Sequence, residues 1–516
     1  MVPGRTGPRP AADSGFGRLT DPSPAPGDWS LPATVAETHI SVLFFVGDRV
    51  YKLKKPVSFG FLDFSTRQAR RAACRREVEL NRRLAPDVYL GVLDLAGFDG
   101  RPCDHVVVMR RMPPERRLAA LVEAGAPLDD ELEHIARRMA AFHAAAPTAD
   151  EIAEAGRVET VRRHWDASFE EMGPFIGPVL DAPQCARVEE LVHRYLSGRE
   201  ALFSERIAAG RVRDGHGDLQ AEDIFCLDDG PRILDCIEFD DRLRHGDVLS
   251  DVAFLAMDLE RLGSPAAGQR FLAFYREFAG ETYPASLAAH YIAYRAHVRC
   301  KVACLRHAQG DPRAAGVARD LLAQTRRHLE AARVVMVLVG GLPGTGKSTL
   351  AAAIADHNGW SVLRSDEVRK ELAGLAPDAA APAAFGEGLY RPEVTAEVYR
   401  TLLDRAGKAL QLGESVILDA SWSDSRWREA AAEVAQATAS DLVELRCAAS
   451  EALAAERIDR RRRHGGDPSD ATAAVASAMA ARADPWSSSV TIDTAATPQS
   501  TLAQALAVLE PPDARP

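Results

Sequence analysis

The chain has 516 residues, of which 46% are hydrophobic and 27% are charged, the composition of a soluble globular protein of two or three domains. Its net charge of -11 argues against a dedicated nucleic-acid binder, and no apolar run is long enough to cross a bilayer. The eight Cys residues lack zinc-ligand spacing, which is typical of reduced thiols in the cytoplasm. We therefore expect a cytoplasmic protein without a membrane partner.

The first half of the sequence begins with a leader and then changes from strands to helices. Residues 1–33 are rich in Pro, Gly and Ser and lack an apolar core with a cleavage site, which predicts a disordered leader and no secretory signal. Residues 39–56 predict two strands joined by a tight turn, 66–84 a helix, and 105–112 a further strand. From there to about residue 329 the pattern is mainly helical.

The second half alternates between strands and helices. A charged helical pattern gives way to a β-branched, buried strand near Glu330, so we predict domains over 34–329 and 330–516. Short β-rich runs separated by helices predict a parallel α/β sheet in the second domain. The predicted strands of this sheet are 334–339, 361–366, 415–420, 441–447 and 489–494.

The most specific motif is "GGLPGTGKST" (340–349), the pattern of a loop that wraps the phosphates of a nucleotide. A buried strand precedes it and a helix follows, which is the context that a phosphate loop requires. We expect Lys347 to reach the β- and γ-phosphates and Ser348 to ligate Mg²⁺; the alternative is an ordinary glycine-rich turn. The predicted nucleotide-binding residues of this loop are Gly341, Gly344, Thr345, Gly346, Lys347, Ser348 and Thr349.

Two aspartates stand at the ends of later strands, at the sheet edge where α/β proteins bind ligands. Asp366 in "RSDEVRKEL" is the predicted general base, which takes a proton from the acceptor hydroxyl. Arg369, one turn further on, is predicted to hold an anionic substrate. Asp419 in "VILDAS" is suited to Mg²⁺ or its water. For both aspartates, capping of a helix is the alternative interpretation.

An arginine run, "RIDRRRR" (457–463), follows the fourth strand of this domain. Such runs are usually solvated, but here one or two arginines are placed to stabilise charge on the transferring phosphoryl group, and Arg460 is the predicted nucleotide contact. Together with the motifs above, the run resembles the zeta-toxin and polynucleotide-kinase-like P-loop kinases over roughly 333–495. That resemblance implies phosphorylation of a hydroxyl, on substrates that differ between members.

A second phosphate-handling motif, "HGDLQAED" (216–223), lies in the first domain. In kinase-like folds His-x-Asp carries the catalytic aspartate, here Asp218, and a metal ligand follows five residues later, here Asp223. Asp235 in the next strand is the second predicted metal ligand. Upstream, Lys52 and Glu77 match the ion pair that sets the ATP phosphates, with Lys54 as an alternative to Lys52.

These residues, in this order, resemble the aminoglycoside phosphotransferase branch of the protein-kinase-like fold over roughly 35–325. The resemblance implies an α+β fold, adenine bound along "VVVMRRMP", and a role for Asp251 in steadying the catalytic loop. Two departures stand out: Asp223 replaces the usual Asn, and "ETHIS" stands where a glycine-rich phosphate loop is expected. A kinase-like fold that binds without catalysing is the alternative.

The whole arrangement resembles bacterial bifunctional aminoglycoside phosphotransferase/ATP-binding proteins. It implies two fused kinase domains that use ATP and Mg²⁺ to phosphorylate a hydroxyl of an unidentified small molecule. Two alternatives remain: a P-loop domain that senses ATP and regulates the first domain, and a nucleic-acid end kinase, which the net acidity disfavours. The acceptors and the oligomeric state stay open.

Overall fold

A computed structural model describes residues 34–38, 40–59, 62–376, 386–464 and 472–510. It divides into two compact units, Met1–Ala155 with Gly210–Thr282, and Gly156–Ala209 with Tyr283–Pro516. The leader predicted over 1–33 lies outside the described residues. None of the helices in the described ranges combines the length and apolar character needed to cross a bilayer.

The elements of the described residues are numbered here in chain order. The strands are β1 (Thr34–Glu37), β2 (Ser41–Val46), β3 (Arg49–Lys54), β4 (Ser58–Phe59), β5 (Leu62–Asp63), β6 (Tyr89–Ala96), β7 (Pro102–Arg110), β8 (Val212–Asp214), β9 (Ile224–Leu227), β10 (Gly230–Ile233), β11 (His245–Asp247), β12 (Val335–Gly340), β13 (Ser361–Arg364), β14 (Val416–Asp419), β15 (Asp441–Ala448) and β16 (Val490–Asp493). The α-helices are α1 (Arg67–Asn81), α2 (Leu118–Glu123), α3 (Asp129–Ala145), α4 (Asp150–Ala153), α5 (Val158–Met172), α6 (Ala182–Ser197), α7 (Glu200–Ala208), α8 (Val248–Arg261), α9 (Pro265–Phe278), α10 (Ala285–Ala308), α11 (Ala314–Ala331), α12 (Lys347–Asn358), α13 (Ser365–Leu372), α14 (Pro392–Gln411), α15 (Ser425–Ala437), α16 (Glu451–His464), α17 (Ala473–Ala480) and α18 (Pro498–Leu509).

The first unit is built on an antiparallel sheet with the strand order β1-β2-β3-β7-β6. Helix α1, capped by the Thr66 hydroxyl, packs Cys74 and Val78 against Val50 and Val107 of the sheet. The hairpin, helix and strand that the apolar spacing predicts are therefore present. After β7 the unit is mainly helical, and two short antiparallel pairs, β8 with β11 and β9 with β10, surround the His216 loop.

The second unit contains a parallel sheet with the strand order β13-β14-β12-β15-β16. Its central strands are fully buried, as a sheet covered by helices on both faces requires. Val337, Ile354 and Leu445 belong to one apolar cluster that joins α12 to the strands. The two-part fold class predicted from the sequence, α+β kinase-like followed by parallel α/β, is confirmed.

Helices from two earlier segments complete the second unit. Arg199, which is almost fully buried, donates to the carbonyl of Thr438 at 2.7 Å, and the Ser286 hydroxyl donates to Gly413 O at 2.7 Å. Arg333 pairs with Asp441 at 2.5 Å. The helices of Gly156–Ala209 and those after Tyr283 thus belong to the same compact unit as the phosphate-loop sheet. Whether the chain can be separated near Glu330 stays a prediction.

Candidate active sites

The phosphate loop of the second unit connects β12 to α12. Gly344 and Gly346 have φ angles of 82° and 87°, in the left-handed region that glycine adopts without strain. A Cβ atom at Gly344 would lie 2.4 Å from the Ala454 carbonyl oxygen, so a larger residue does not fit there. Because α12 begins directly after this turn, its free N–H groups create a site for an anion.

The side chains of the loop are held by its own backbone. The Thr345 hydroxyl and the Lys347 ammonium both donate to Leu342 O, at 2.7 Å and 3.1 Å. Gly341 has its N–H bonded to Ser421 O, which fixes the start of the loop against the neighbouring strand end. Lys347 is thereby held close to the loop that would receive the phosphates.

A cavity of about 1150 Å³ opens beside this loop, and it brings together most of the predicted residues of the second unit. Gly341 and Thr345 support the loop without lining the cavity. The predicted residues that line it are Gly344, Gly346, Lys347, Ser348, Thr349, Asp366, Arg369, Asp419 and Arg460.

The sequence predicts a strand over 361–366 that ends at Asp366. In the structure, Asp366 is the second residue of α13. That prediction is wrong at its end: β13 stops at Arg364, and Asp366 and Glu367 stabilise the first turn of a helix as acidic residues there do. The N-cap position belongs to Arg364, so the capping interpretation of Asp366 is also wrong.

Asp419 is the last residue of β14 and is 5% exposed. Its carboxylate accepts from Arg364 Nε at 3.3 Å. The next helix, α15, begins at Ser425 and is capped by Asp424, so the capping interpretation of Asp419 is wrong as well. A buried carboxylate at the sheet edge remains available for a hard cation.

Three arginines of α16, Arg457, Arg460 and Arg461, line the cavity, and Arg457 also has a structural role. Arg457 donates to Thr494 O at 2.6 Å and to the Thr494 hydroxyl at 3.2 Å, and that hydroxyl donates to Thr345 O at 2.6 Å. Arg457 therefore braces the phosphate loop. Arg460 and Arg461 line the cavity, as expected of residues that contact a nucleotide.

In the first unit, helix α8 holds the backbone of the loop that contains His216 and Asp218. Asp251 accepts the backbone N–H of His216 at 2.7 Å and that of Gly217 at 2.8 Å, and it also contacts His143 Nε2 at 3.0 Å. The positioning role that the resemblance implies for Asp251 is thus visible. Asp258, seven residues later on the same helix face, accepts the N–H of Ala221 at 3.0 Å.

Replacing Asp251 by Asn is expected to lower the thermal unfolding midpoint, because an amide cannot accept at both positions and leaves a buried N–H unpaired, at about 1–3 kcal/mol. Calorimetry of the full chain measures this. Asp228, whose side chain is 96% exposed, provides the control: Asp228→Asn should change stability by no more than about 0.5 kcal/mol. Equal midpoints for the two variants would contradict the role of Asp251.

The alternating lysines of β3 point to one buried carboxylate. Glu77 of α1 receives Lys52 at 2.9 Å and Lys54 at 2.7 Å. Lys52 also reaches Asp235 at 2.5 Å, whereas Lys54 is fully buried and pairs with Glu238 at 2.5 Å. Burial disfavours the charge of Lys52, but the carboxylates of Asp235 and Glu77 outweigh it and raise its pKa well above the ordinary value. Lys52 is therefore the lysine next to the predicted metal ligand.

Carboxylates converge where the predicted metal site lies. Burial raises the pKa of Asp223 well above its ordinary value, and the negative charges of Asp235 and Asp218 raise it further. Within the described ranges, no group of three or more His, Cys, Asp or Glu side chains is arranged to hold a metal by itself. Mg²⁺ commonly uses one or two carboxylates together with phosphate oxygens, so Asp223 and Asp235 fit it.

The backbone around Asp235 is fixed in an uncommon conformation. Its φ angle is 63°, in the left-handed region that is rare for a residue with a side chain. Its N–H donates to the Tyr89 hydroxyl at 3.2 Å, and the next N–H, of Cys236, donates to Asn81 Oδ1 at 2.9 Å. These contacts aim the Asp235 carboxylate toward Lys52.

Comparison with known proteins agrees with this two-part architecture. A family model described as an AAA domain matches residues 336–486. The "Uncharacterized protein Rv2004c" of Mycobacterium tuberculosis is 44% identical over 471 residues, which cover 91% of this chain and 94% of the relative. The chain belongs to the same family as this mycobacterial protein.

Solved structures resemble each part separately. Aminoglycoside 2'-phosphotransferase-IIIa, solved with GDP, is 16% identical and covers 58% of this chain and 94% of its own, with a TM-score of 0.39. A sugar kinase from Janibacter sp. HTCC2649 is 19% identical and covers 34% of this chain and 94% of its own, with a TM-score of 0.27. The fold of each part is assigned from the strand orders given above.

Several residues of both sites carry no motif and were missed. Asp258 and Glu238 belong to the first site, and Tyr399 and Trp427 line the second cavity. Asp258 could have been found from its seven-residue spacing to Asp251, which places both on one helix face. The aromatic pair carries no comparable signal, because its members come from α14 and α15 and meet only in the folded chain.

Proposed function

We propose that this protein is an ATP-dependent phosphotransferase that transfers the γ-phosphate to a hydroxyl of a small-molecule acceptor, with one nucleotide site in each unit. The observation that carries the proposal is the cavity of the second unit. There the phosphate-loop residues Lys347 and Ser348 share one space of about 1150 Å³ with Asp366 and Asp419. A device that only senses nucleotide has no use for a carboxylate base facing the phosphates.

In the second unit, each residue has a defined task. Asp366 accepts the proton of the acceptor hydroxyl as its oxygen bonds to the γ-phosphorus and the bond to the β-phosphate oxygen breaks, which leaves ADP. Lys347 and the N-terminus of α12 neutralise the phosphates, and Arg460 lies within the same cavity. Ser348 and Asp419 would hold Mg²⁺, which when bound supplies further charge neutralisation on the β- and γ-phosphates.

In the first unit, the corresponding tasks fall to a different set. Lys52, oriented by Glu77, would pair with the phosphates, and Asp218 would orient and deprotonate the acceptor. Asp223 and Asp235 would hold Mg²⁺. Asp251 and Asp258 keep the loop of Asp218 in place through its backbone.

Two nucleotides per chain are the expected result of titrating the full-length protein with a non-hydrolysable ATP analogue and Mg²⁺ in a calorimeter. Lys347→Ala should weaken one site about 10- to 100-fold because it removes a charged phosphate partner. Asp235→Asn should weaken mainly the other. A single site in the wild-type chain that Lys347→Ala removes would contradict the proposal for the first unit.

A further inference from the structure

Two ion pairs meet at the buried carboxylate of Glu77 in the first unit. Its Oε1 pairs with Lys52 at 2.9 Å and its Oε2 with Lys54 at 2.7 Å. Each oxygen of this carboxylate therefore has its own ammonium partner. The kinase-like motif accounts for Lys52 and Glu77 but not for the second lysine.

Lys54 lies deeper in the unit than Lys52. Its side chain is fully buried, and its ammonium also pairs with the buried carboxylate of Glu238 at 2.5 Å. The centre of the Phe64 ring lies 5.1 Å from its Nζ. A charge in such surroundings is costly unless it is paired, so Lys54 and its two carboxylates depend on one another. The partners of Lys54 are therefore fixed by the fold.

Lys52, in contrast, has a partner that solvent reaches. Its own side chain is 11% exposed, and the side chain of Asp235, which it contacts at 2.5 Å, is 47% exposed. A ligand can approach this pair from solvent, so the pair between Lys52 and Asp235 is the one that can open. The phosphates of a nucleotide would then replace Asp235 as the partner of Lys52.

The charge balance around Glu77 determines whether Lys52 can make this exchange. Lys54 stands between two buried carboxylates, those of Glu77 and Glu238. Without Lys54, these carboxylates would have Lys52 as their nearest ammonium, because it already contacts Glu77. Their attraction would hold Lys52 in place and oppose its movement to a phosphate.

We infer that Lys54 and Glu238 are positioning residues of the first nucleotide site. They neutralise and orient Glu77, which leaves Lys52 free to exchange Asp235 for phosphates. The inference rests on the proposed function of the first unit. Because Glu238 follows Asp235 by three residues, its pair with Lys54 also ties the segment of the predicted metal ligand to β3.

The test is a double-mutant cycle on nucleotide affinity, measured by calorimetry with Mg²⁺ and a non-hydrolysable ATP analogue. Every variant is made in the full-length chain with Lys347→Ala, so that the remaining strong site belongs to the first unit. Lys52→Met should weaken that site about 10- to 100-fold, and Lys54→Met about 5- to 100-fold. Because Lys54 acts through Lys52, adding Lys54→Met to Lys52→Met should cost no more than about a further twofold.

A merely structural role for Lys54 gives a different pattern, since a general loosening of the unit persists when Lys52 is absent. If Lys54→Met does not fold, Lys54→Met with Glu238→Gln removes one charge of each sign, and the same non-additive pattern is expected. Lys408, exposed beside Asp404, is the control for the substitution, and Lys408→Met should leave the affinity unchanged.

The possible results separate this inference from the proposed function. Losses that multiply in the double variant, or a Lys54→Met chain that binds the analogue as well as its parent, overturn the inference alone. The proposed function of the first unit fails, and the inference with it, if Lys52→Met does not change the affinity. Both fail as well if the wild-type chain has a single site that Lys347→Ala removes.

Discussion

Replacing Asp366 by Asn is expected to lower phosphoryl transfer by the second unit about 10²- to 10⁴-fold, the usual contribution of a positioned general base. ATP affinity should be unchanged, because the phosphate contacts belong to Lys347 and the N-terminus of α12. Transfer from γ-labelled ATP is measured in the full chain, in an Asp235→Asn background that silences the first unit. Calorimetry with the ATP analogue gives the affinity.

Asp424 supplies a matched control for this prediction. It lines the same cavity and caps α15 by accepting the N–H of Arg426 at 3.1 Å, a task that Asn performs as well as Asp. Asp424→Asn therefore removes the same charge from the same cavity without touching the proposed base. If both variants lose transfer to the same extent, or if Asp366→Asn loses nucleotide affinity, Asp366 has a structural or purely electrostatic role.

The phosphate loop could be predicted residue by residue because its chemistry is local. A glycine turn between a buried strand and a helix is encoded within ten consecutive positions, and Lys347 and Ser348 lie where the motif places them. The predicted ends of the strands differ from the observed ends by one or two residues. Asp366 was expected at the end of a strand and instead lies in the first turn of a helix. It still lies at the sheet edge, because β13 ends only two residues before it.

Contacts between distant segments could not be predicted. The choice between Lys52 and Lys54 stayed open because both point to the same face of β3, and only the position of Asp235, far along the chain, distinguishes them. The same holds for Arg199, the N-cap residue of α7, which donates to the carbonyl of Thr438 at the end of α15. The periodicity of apolar residues predicts that a helix buries one face, but it does not indicate in which of the two units that face is buried.

In the first unit, Asp218→Asn is expected to lower transfer about 10²- to 10⁴-fold, because Asn keeps the size of the side chain but cannot accept a proton from the acceptor hydroxyl. The measurement uses the full chain in a Lys347→Ala background, so that the remaining transfer comes from this unit. Stability and nucleotide affinity should be retained, since Asp251 and Asp258 hold the loop backbone.

Glu222, four residues after Asp218, is the matched control. Its side chain is 52% exposed and pairs with Arg117 at 3.0 Å. Glu222→Gln removes one negative charge from the neighbourhood, and an exposed ion pair contributes little, so transfer should change less than about twofold. Comparing the two variants therefore distinguishes the loss of proton abstraction from the loss of a negative charge near the loop. Transfer that survives Asp218→Asn at the level of Glu222→Gln would leave the first unit as a kinase-like fold that binds nucleotide without catalysing. In that case the carboxylates of Asp223 and Asp235 would serve binding alone, and the second unit would carry the chemistry of the chain.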